Sequence, residues 1–104
     1  EWSDEANKIS KKINAMYPNP IISIDINGIE INLCKSRVNE KFTGDPGEII
    51  EFNKNTLVIG CGDYAVEVIE LCRAGKNKLS IKDFYNGAQK LLKKGDIISW
   101  ILGV

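Results

Sequence analysis

The chain has 104 residues, 43% of them apolar, with 14 basic and 14 acidic side chains that cancel and no histidine at all. That length is one domain with a modest core. Without histidine a Ser-His-Asp triad is impossible, no Cys-x-x-Cys pair offers a zinc site, and no run approaches the roughly 18 apolar residues of a membrane span. Cys34, Cys61 and Cys72 are widely spaced and odd in number, which reads as reduced thiols rather than a disulfide framework. Nothing at the start resembles a secretory leader, so the expected setting is cytoplasmic, with no membrane and no metal. The chain opens Glu1-Trp2-Ser3 and its single methionine, Met16, falls inside a helical pattern, as expected of a piece of a longer polypeptide.

Ser3 followed by Asp4 and Glu5 predicts a helix start, with a side-chain oxygen as cap and negative charge at the positive end of the dipole. Ala6, Ile9, Ile13 and Met16 then recur at helical spacing until Pro18 and Pro20 stop the helix, and Trp2 and Tyr17 bracket it as clamps. The period next changes to two. Ile22, Ile24 and Ile26 alternate with polar residues, Asn27-Gly28 supplies a tight turn, and Ile29, Ile31 and Leu33 resume the alternation, which predicts a β-hairpin. A polar loop, "NEKFTGDPGE", leads to a strand over 48–52, a turn at "NKN", and a strand pair over 56–61 and 64–72. In that last strand Glu67 and Glu70 sit three apart, which strict alternation cannot place on one face, so a bulge is expected near Val68 or Ile69. A second short helix starts at a Ser80 cap, turns Ile81 and Phe84 inward and ends at Gly87. After a turn at Lys94-Gly95-Asp96 comes a final strand in which Ile97, Ser99 and Ile101 oppose Ile98 and Trp100. Short strands, regular turns and two small helices predict a mainly β fold, a small, partly open antiparallel barrel of the oligonucleotide-binding kind.

The most site-like stretch is Gly60-Cys61-Gly62-Asp63. It lacks the third glycine of a dinucleotide fingerprint, has no Gly-Lys-Ser/Thr phosphate loop, and runs into strand-like residues. Cys61 has no histidine base, and Asp63 beside it raises its pKa instead of lowering it. The stretch therefore reads as a turn, with Gly60 marking a bend or the close approach of another backbone. The carboxylate pairs Glu67/Glu70 and Asp45/Glu48 read as outward charges rather than an acid and a base. No catalytic residue is assigned.

Charge is uneven along the chain. From Leu71 onward only Asp83 and Asp96 oppose Arg73, Lys76, Lys78, Lys82, Lys90, Lys93 and Lys94. A basic C-terminal third can meet a polyanion, because neutralising phosphates releases counterions; a solvated surface is the other reading of the same charges.

Pro46-Gly47-Glu48-Ile49, Cys61-Gly62-Asp63, Gly75-Lys76, Ser80 with Asp83-Phe84, Gly87 and Gly95-Asp96, in this order, resemble the C-terminal domain of the methionyl-tRNA formyltransferase family. The front half is similar as well, with Trp2 ahead of a helix carrying Ala6, Ile9 and Ile13, then Tyr17-Pro18 and the Asn27-Gly28 hairpin. The resemblance implies that residues 1–20 are a helix and proline-rich connection from an N-terminal catalytic domain in the same chain, and that 21–104 form the barrel. It also implies that 10-formyltetrahydrofolate serves the catalytic domain, with no cofactor bound by this segment. A tRNA partner in translation initiation would then meet Lys35, Arg37, Arg73, Lys76, Lys78, Lys90, Lys93 and Lys94. Asn14, Tyr64 and Cys72 stand where the family more often has arginine, glycine and glutamine. Two other readings stay open: a structural C-terminal domain of a sugar-nucleotide N-formyltransferase with no RNA role, and a stand-alone oligonucleotide-binding module.

Overall fold

A computed structural model describes residues 1–16, 22–26, 28–73 and 76–102. The expected stops at Pro18 and Pro20, the expected clamp Tyr17, the turn residue Asn27 and Gly75 lie outside the described residues. Helix α1 (Ala6–Met16) precedes β1 (Ile22–Ile26), β2 (Ile29–Asn39), β3 (Ile49–Asn53), β4 (Thr56–Gly60), β5 (Ala65–Arg73), β6 (Leu79–Ser80), α2 (Ile81–Ala88) and β7 (Ser99–Leu102). The strands form one antiparallel sheet in the order β3-β4-β5-β2-β1-β7. Strand β6 pairs with Glu70 and Leu71 of β5, beyond the stretch of β5 that pairs with β4.

The sheet curls until its two ends meet through a single bridge, Glu48 to Ile97. Around it the backbone amides of Ile49 and Ile98 donate to the carbonyls of Asp96 and Gly47, and that of Gly95 to Ile49. The result is the mainly β, partly open barrel that the alternating pattern predicts. Alternation places Ile22, Ile24, Ile31, Leu33, Ile49, Leu57, Ile59, Val66 and Leu71 inside. Ile9 and Ile13 of α1 and Ile81 and Phe84 of α2 plug into the same core. Each such side chain contributes roughly 1.5–3 kcal/mol by leaving water, so both helices are structural parts of the barrel.

Strand β2 continues past Leu33, the last residue of the clear alternation, through to Asn39. Between Leu33 and Ser36 the β2/β5 register shifts twice, with Cys34 extra on β2 and Ile69 extra on β5, so the two bulges cancel. The second is the one implied by the Glu67/Glu70 spacing. It lets Glu67 face Arg37 and Glu70 face Lys35 across the ladder. The first explains why the alternation stops there, because Leu33 and Cys34 are both buried and break the period of two. Beyond Leu33, β2 also meets helix α1. There the side-chain oxygen of Asn14 accepts from the Ser36 amide at 2.8 Å and its side-chain nitrogen donates to the Ser36 carbonyl at 3.0 Å. Asn14 thus satisfies both backbone groups of Ser36.

Two helix boundaries differ from expectation. Helix α1 begins at Ala6, too far along for Ser3 to cap it, and Asp63 from the β4/β5 corner accepts the Ala6 amide at 2.8 Å instead. Ser80 does cap α2, accepting from the Asp83 amide at 3.3 Å, but the helix passes through Gly87 and ends at Ala88.

Candidate nucleic-acid interface

The corner at Gly60 to Tyr64 folds as a four-residue connection, closed by the Cys61 amide donating to the Tyr64 carbonyl at 3.0 Å. Its glycines admit neighbouring backbone. A Cβ on Gly60 would collide with the Asp45 carbonyl, and one on Gly62 with the Ser3 carbonyl. The Gly62 amide donates to the Asp4 carbonyl at 2.8 Å. Asp63 accepts from the amides of Ala6 and Tyr64, which hold its carboxyl below the usual 3.8. Cys61 is buried, and burial, helped by the charge of Asp63, pushes its thiol up to about 12. A thiol that stays protonated and closed from solvent is not a nucleophile. The stretch seats the start of α1.

All three cysteines are free and buried. Among the described residues no three His, Cys, Asp or Glu side chains gather closely enough to hold a metal ion, and no helix is long and apolar enough to cross a membrane.

The eight basic residues expected to form one docking strip occupy several places. Lys35 and Arg37 point outward from β2 opposite Glu70 and Glu67, and the Lys78 ammonium lies 3.8 Å from Glu70. Arg73 and Lys76 are exposed at the end of β5, joined by a backbone hydrogen bond. Lys90 and Lys93 line a separate cavity of about 460 Å³ that also holds Asp25 and Asp96. Lys94 pairs with Glu51 on β3 at 3.8 Å.

Two lysines not assigned to the strip complete the first of these places. The β3/β4 turn presents Lys54 and the first turn of α2 presents Lys82, and both line a groove of about 310 Å³ with Arg37, Asn55, Glu67 and Ser80. The bulged Ile69 forms part of its floor. Glu67 was expected to point outward; instead it is buried, which is possible because Arg37 donates to it at 3.2 Å and Asn39 at 3.2 Å. It neutralises part of Arg37 and fixes that guanidinium at the rim. Arg37, Lys54 and Lys82 line this groove with one carboxylate, Glu67, while Lys35 and Lys78 lie beside Glu70. Lys54 and Lys82 stand in different parts of the chain, so only the folded hairpin and helix reveal them as neighbours.

Two of the rings that could stack on bases are engaged elsewhere, whereas Tyr64 is exposed. Phe52 packs on Phe84 and Tyr85 with centroids 5.8 and 5.2 Å apart, and Trp100 packs edge-on against the buried Trp2 at 4.9 Å.

This arrangement, a curled sheet plugged by two helices with glycines at the helix seat, can be set beside known proteins. Residues 1–89 match the family model described as "Formyl transferase, C-terminal domain". The chain belongs to that family. Among curated relatives of this formyl transferase C-terminal domain, the methionyl-tRNA formyltransferase of Streptococcus agalactiae is 33% identical over 96 residues, covering 92% of this chain and 30% of the relative. That of Pseudoalteromonas translucida is 29% identical over 101 residues, 94% of this chain and 32% of the relative. The chain therefore spans about a third of the length of these relatives. Among solved structures, a multiply substituted variant of HypX from Aquifex aeolicus superposes with a TM-score of 0.69 at 25% identity, over 90% of this chain and 17% of that one. HypX in complex with tetrahydrofolic acid gives 0.68 at 21% identity, over 97% and 20%, and shows the fold alone.

Proposed function

We propose that the chain is the C-terminal accessory domain of a methionyl-tRNA formyltransferase, a cytoplasmic enzyme of translation initiation. Its N-terminal catalytic domain, in the same chain, would move a formyl group from 10-formyltetrahydrofolate to the amine of methionyl-tRNA. In this reading the present segment catalyses nothing, binds no folate or metal, and holds the RNA by charge. One observation carries it: Arg37, Lys54 and Lys82 line one groove whose lining holds a single carboxylate, Glu67, with Lys35 and Lys78 beside Glu70, in a family whose curated relatives are named for a tRNA substrate. Arg73, Lys76, Lys90, Lys93 and Lys94 would add weaker, more scattered attraction.

A second reading makes this the structural tail of a sugar-nucleotide N-formyltransferase. It is favoured by the zero net charge and by the pairing of Arg37 and Lys78 with Glu67 and Glu70. A stand-alone base-stacking module fits worse, since of Phe52, Tyr64 and Trp100 the first and last are packed against other rings, leaving Tyr64 as the one exposed ring among them.

The full-length protein supplied with 10-formyltetrahydrofolate decides between the first two. Formylation of methionyl-tRNA supports the proposal. Formylation of an amino sugar nucleotide, with methionyl-tRNA untouched, transfers the chain to the second reading.

A further inference from the structure

We infer that the groove between Lys54, Lys82 and Arg37 is the seat for a phosphate of folded RNA, gripping the backbone without reading bases; this rests on the RNA-docking reading above. The inference moves the centre of contact away from the C-terminal lysines and onto two residues that sequence position does not single out.

Chemistry favours phosphate there. Lys54 reaches in from the β3/β4 turn, Lys82 from α2 and Arg37 from β2, so three cations surround one concavity from three directions. A phosphodiester offers oxygens in more directions than a planar carboxylate, and suits such a ring of donors. The only carboxylate lining the groove, Glu67, is held by Arg37 and Asn39. No ion pair occupies Lys54 or Lys82 among the described residues, and both are exposed. Lys90 and Lys93 face the opposite situation, sharing their cavity with Asp25 and Asp96, whose charges cancel theirs.

The same geometry limits what is recognised. The groove's lining residues include no aromatic ring to stack on a base. Contacts from lysine and arginine to phosphate set position but carry no sequence information. Duplex RNAs of unrelated sequence should therefore bind alike, and each phosphate contact should contribute roughly 0.9 to the slope of log K against log salt.

The test is a filter-binding salt titration of the full-length protein with two RNA duplexes of unrelated sequence and with tRNA. It compares the unaltered protein, Lys54→Ala with Lys82→Ala, and Lys90→Ala with Lys93→Ala, each checked for an unchanged urea midpoint. The groove pair of substitutions should lower the slope by about 0.9 for both duplexes, the loss of one phosphate contact, while the other pair changes it by much less. If the unaltered protein binds and its slope survives loss of Lys54 and Lys82, or falls only with Lys90 and Lys93, the groove is not the seat. A strong preference for one duplex overturns the backbone-only part. If the unaltered protein binds neither duplex nor tRNA, the RNA reading itself fails and the groove assignment falls with it.

Discussion

The corner at residues 60–64 and the groove between Lys54 and Lys82 are both assembled from distant parts of the chain, by opposite means. At the corner, backbone meets backbone: carbonyls of Ser3 and Asp45 lie where side chains of Gly62 and Gly60 would be, and the amides of Gly62 and Ala6 have partners. At the groove, long side chains from a turn, a strand and a helix converge over open space. Every polar group that makes the corner look like a site is used by folding. The groove's lysines have no such role, so their charge remains available to a ligand. A Gly-Cys-Gly-Asp string and a scatter of lysines thus exchange the significance they had as letters.

Substitution at the two places should break the comparison most sharply. Gly60→Ala forces a Cβ into the Asp45 carbonyl and Gly62→Ala one into the Ser3 carbonyl, both rigid backbone. Each should cost about 3 kcal/mol, the upper end of overpacking penalties, or prevent folding. Lys54→Ala with Lys82→Ala should change stability by no more than about 0.5 kcal/mol each. Urea unfolding of the three variants checks this. A Gly60→Ala protein of near-native stability would mean that the corner is not closed by backbone contact.

Protonation offers a gentler probe of the corner, from both ends of the pH scale. The Cys61 pKa is raised on folding from 9.0 to about 12, so its contribution is complete below pH 9 and is lost as pH rises from there through 12. The Asp63 pKa is lowered, so its contribution is complete above its usual value and is lost as pH falls below 3.8. The urea midpoint should drop on both sides. Cys61→Ala should flatten the alkaline limb and Asp63→Asn the acid limb, and the same limbs in the variants would clear these two groups of responsibility. At pH 8 a thiol reagent should modify Cys61 only after denaturant is added.

How far the sequence discloses each region follows from the range of its interactions. The β1/β2 hairpin is legible because alternation and a turn glycine, with φ +86° at Gly28, act over a few residues. The bulge at Ile69 is legible because strict alternation cannot place two acids three apart on one face. The far half of β2 is not, since the Cys34 bulge interrupts its period. Ser3 has the chemistry of a cap, yet Asp63 does the work from 57 positions away, a distance at which local patterns carry no signal. The basic face was half visible: Lys35, Arg37 and Lys78 were singled out, but Lys54 and Lys82 become neighbours only when the β3/β4 turn meets α2.

Helix α2 touches both sides of the comparison, since it gives Ile81 and Phe84 to the core and Lys82 to the groove. Its Gly87 was expected to end the helix and instead lies within it, one residue before the end, with no atom within 4 Å of where a Cβ would project. A glycine in a helix loses more backbone freedom on folding than alanine does, at about 0.5–1 kcal/mol, and here nothing offsets that loss. Gly87→Ala should therefore raise stability by about that amount, the reverse of the change expected at Gly60. Because the substitution stiffens the helix end away from Lys82, the salt slope for RNA should stay as it was. A fall in stability would place the helix end before Gly87, and a change in slope would mean that the groove depends on motion of α2 as well as on the charges it presents.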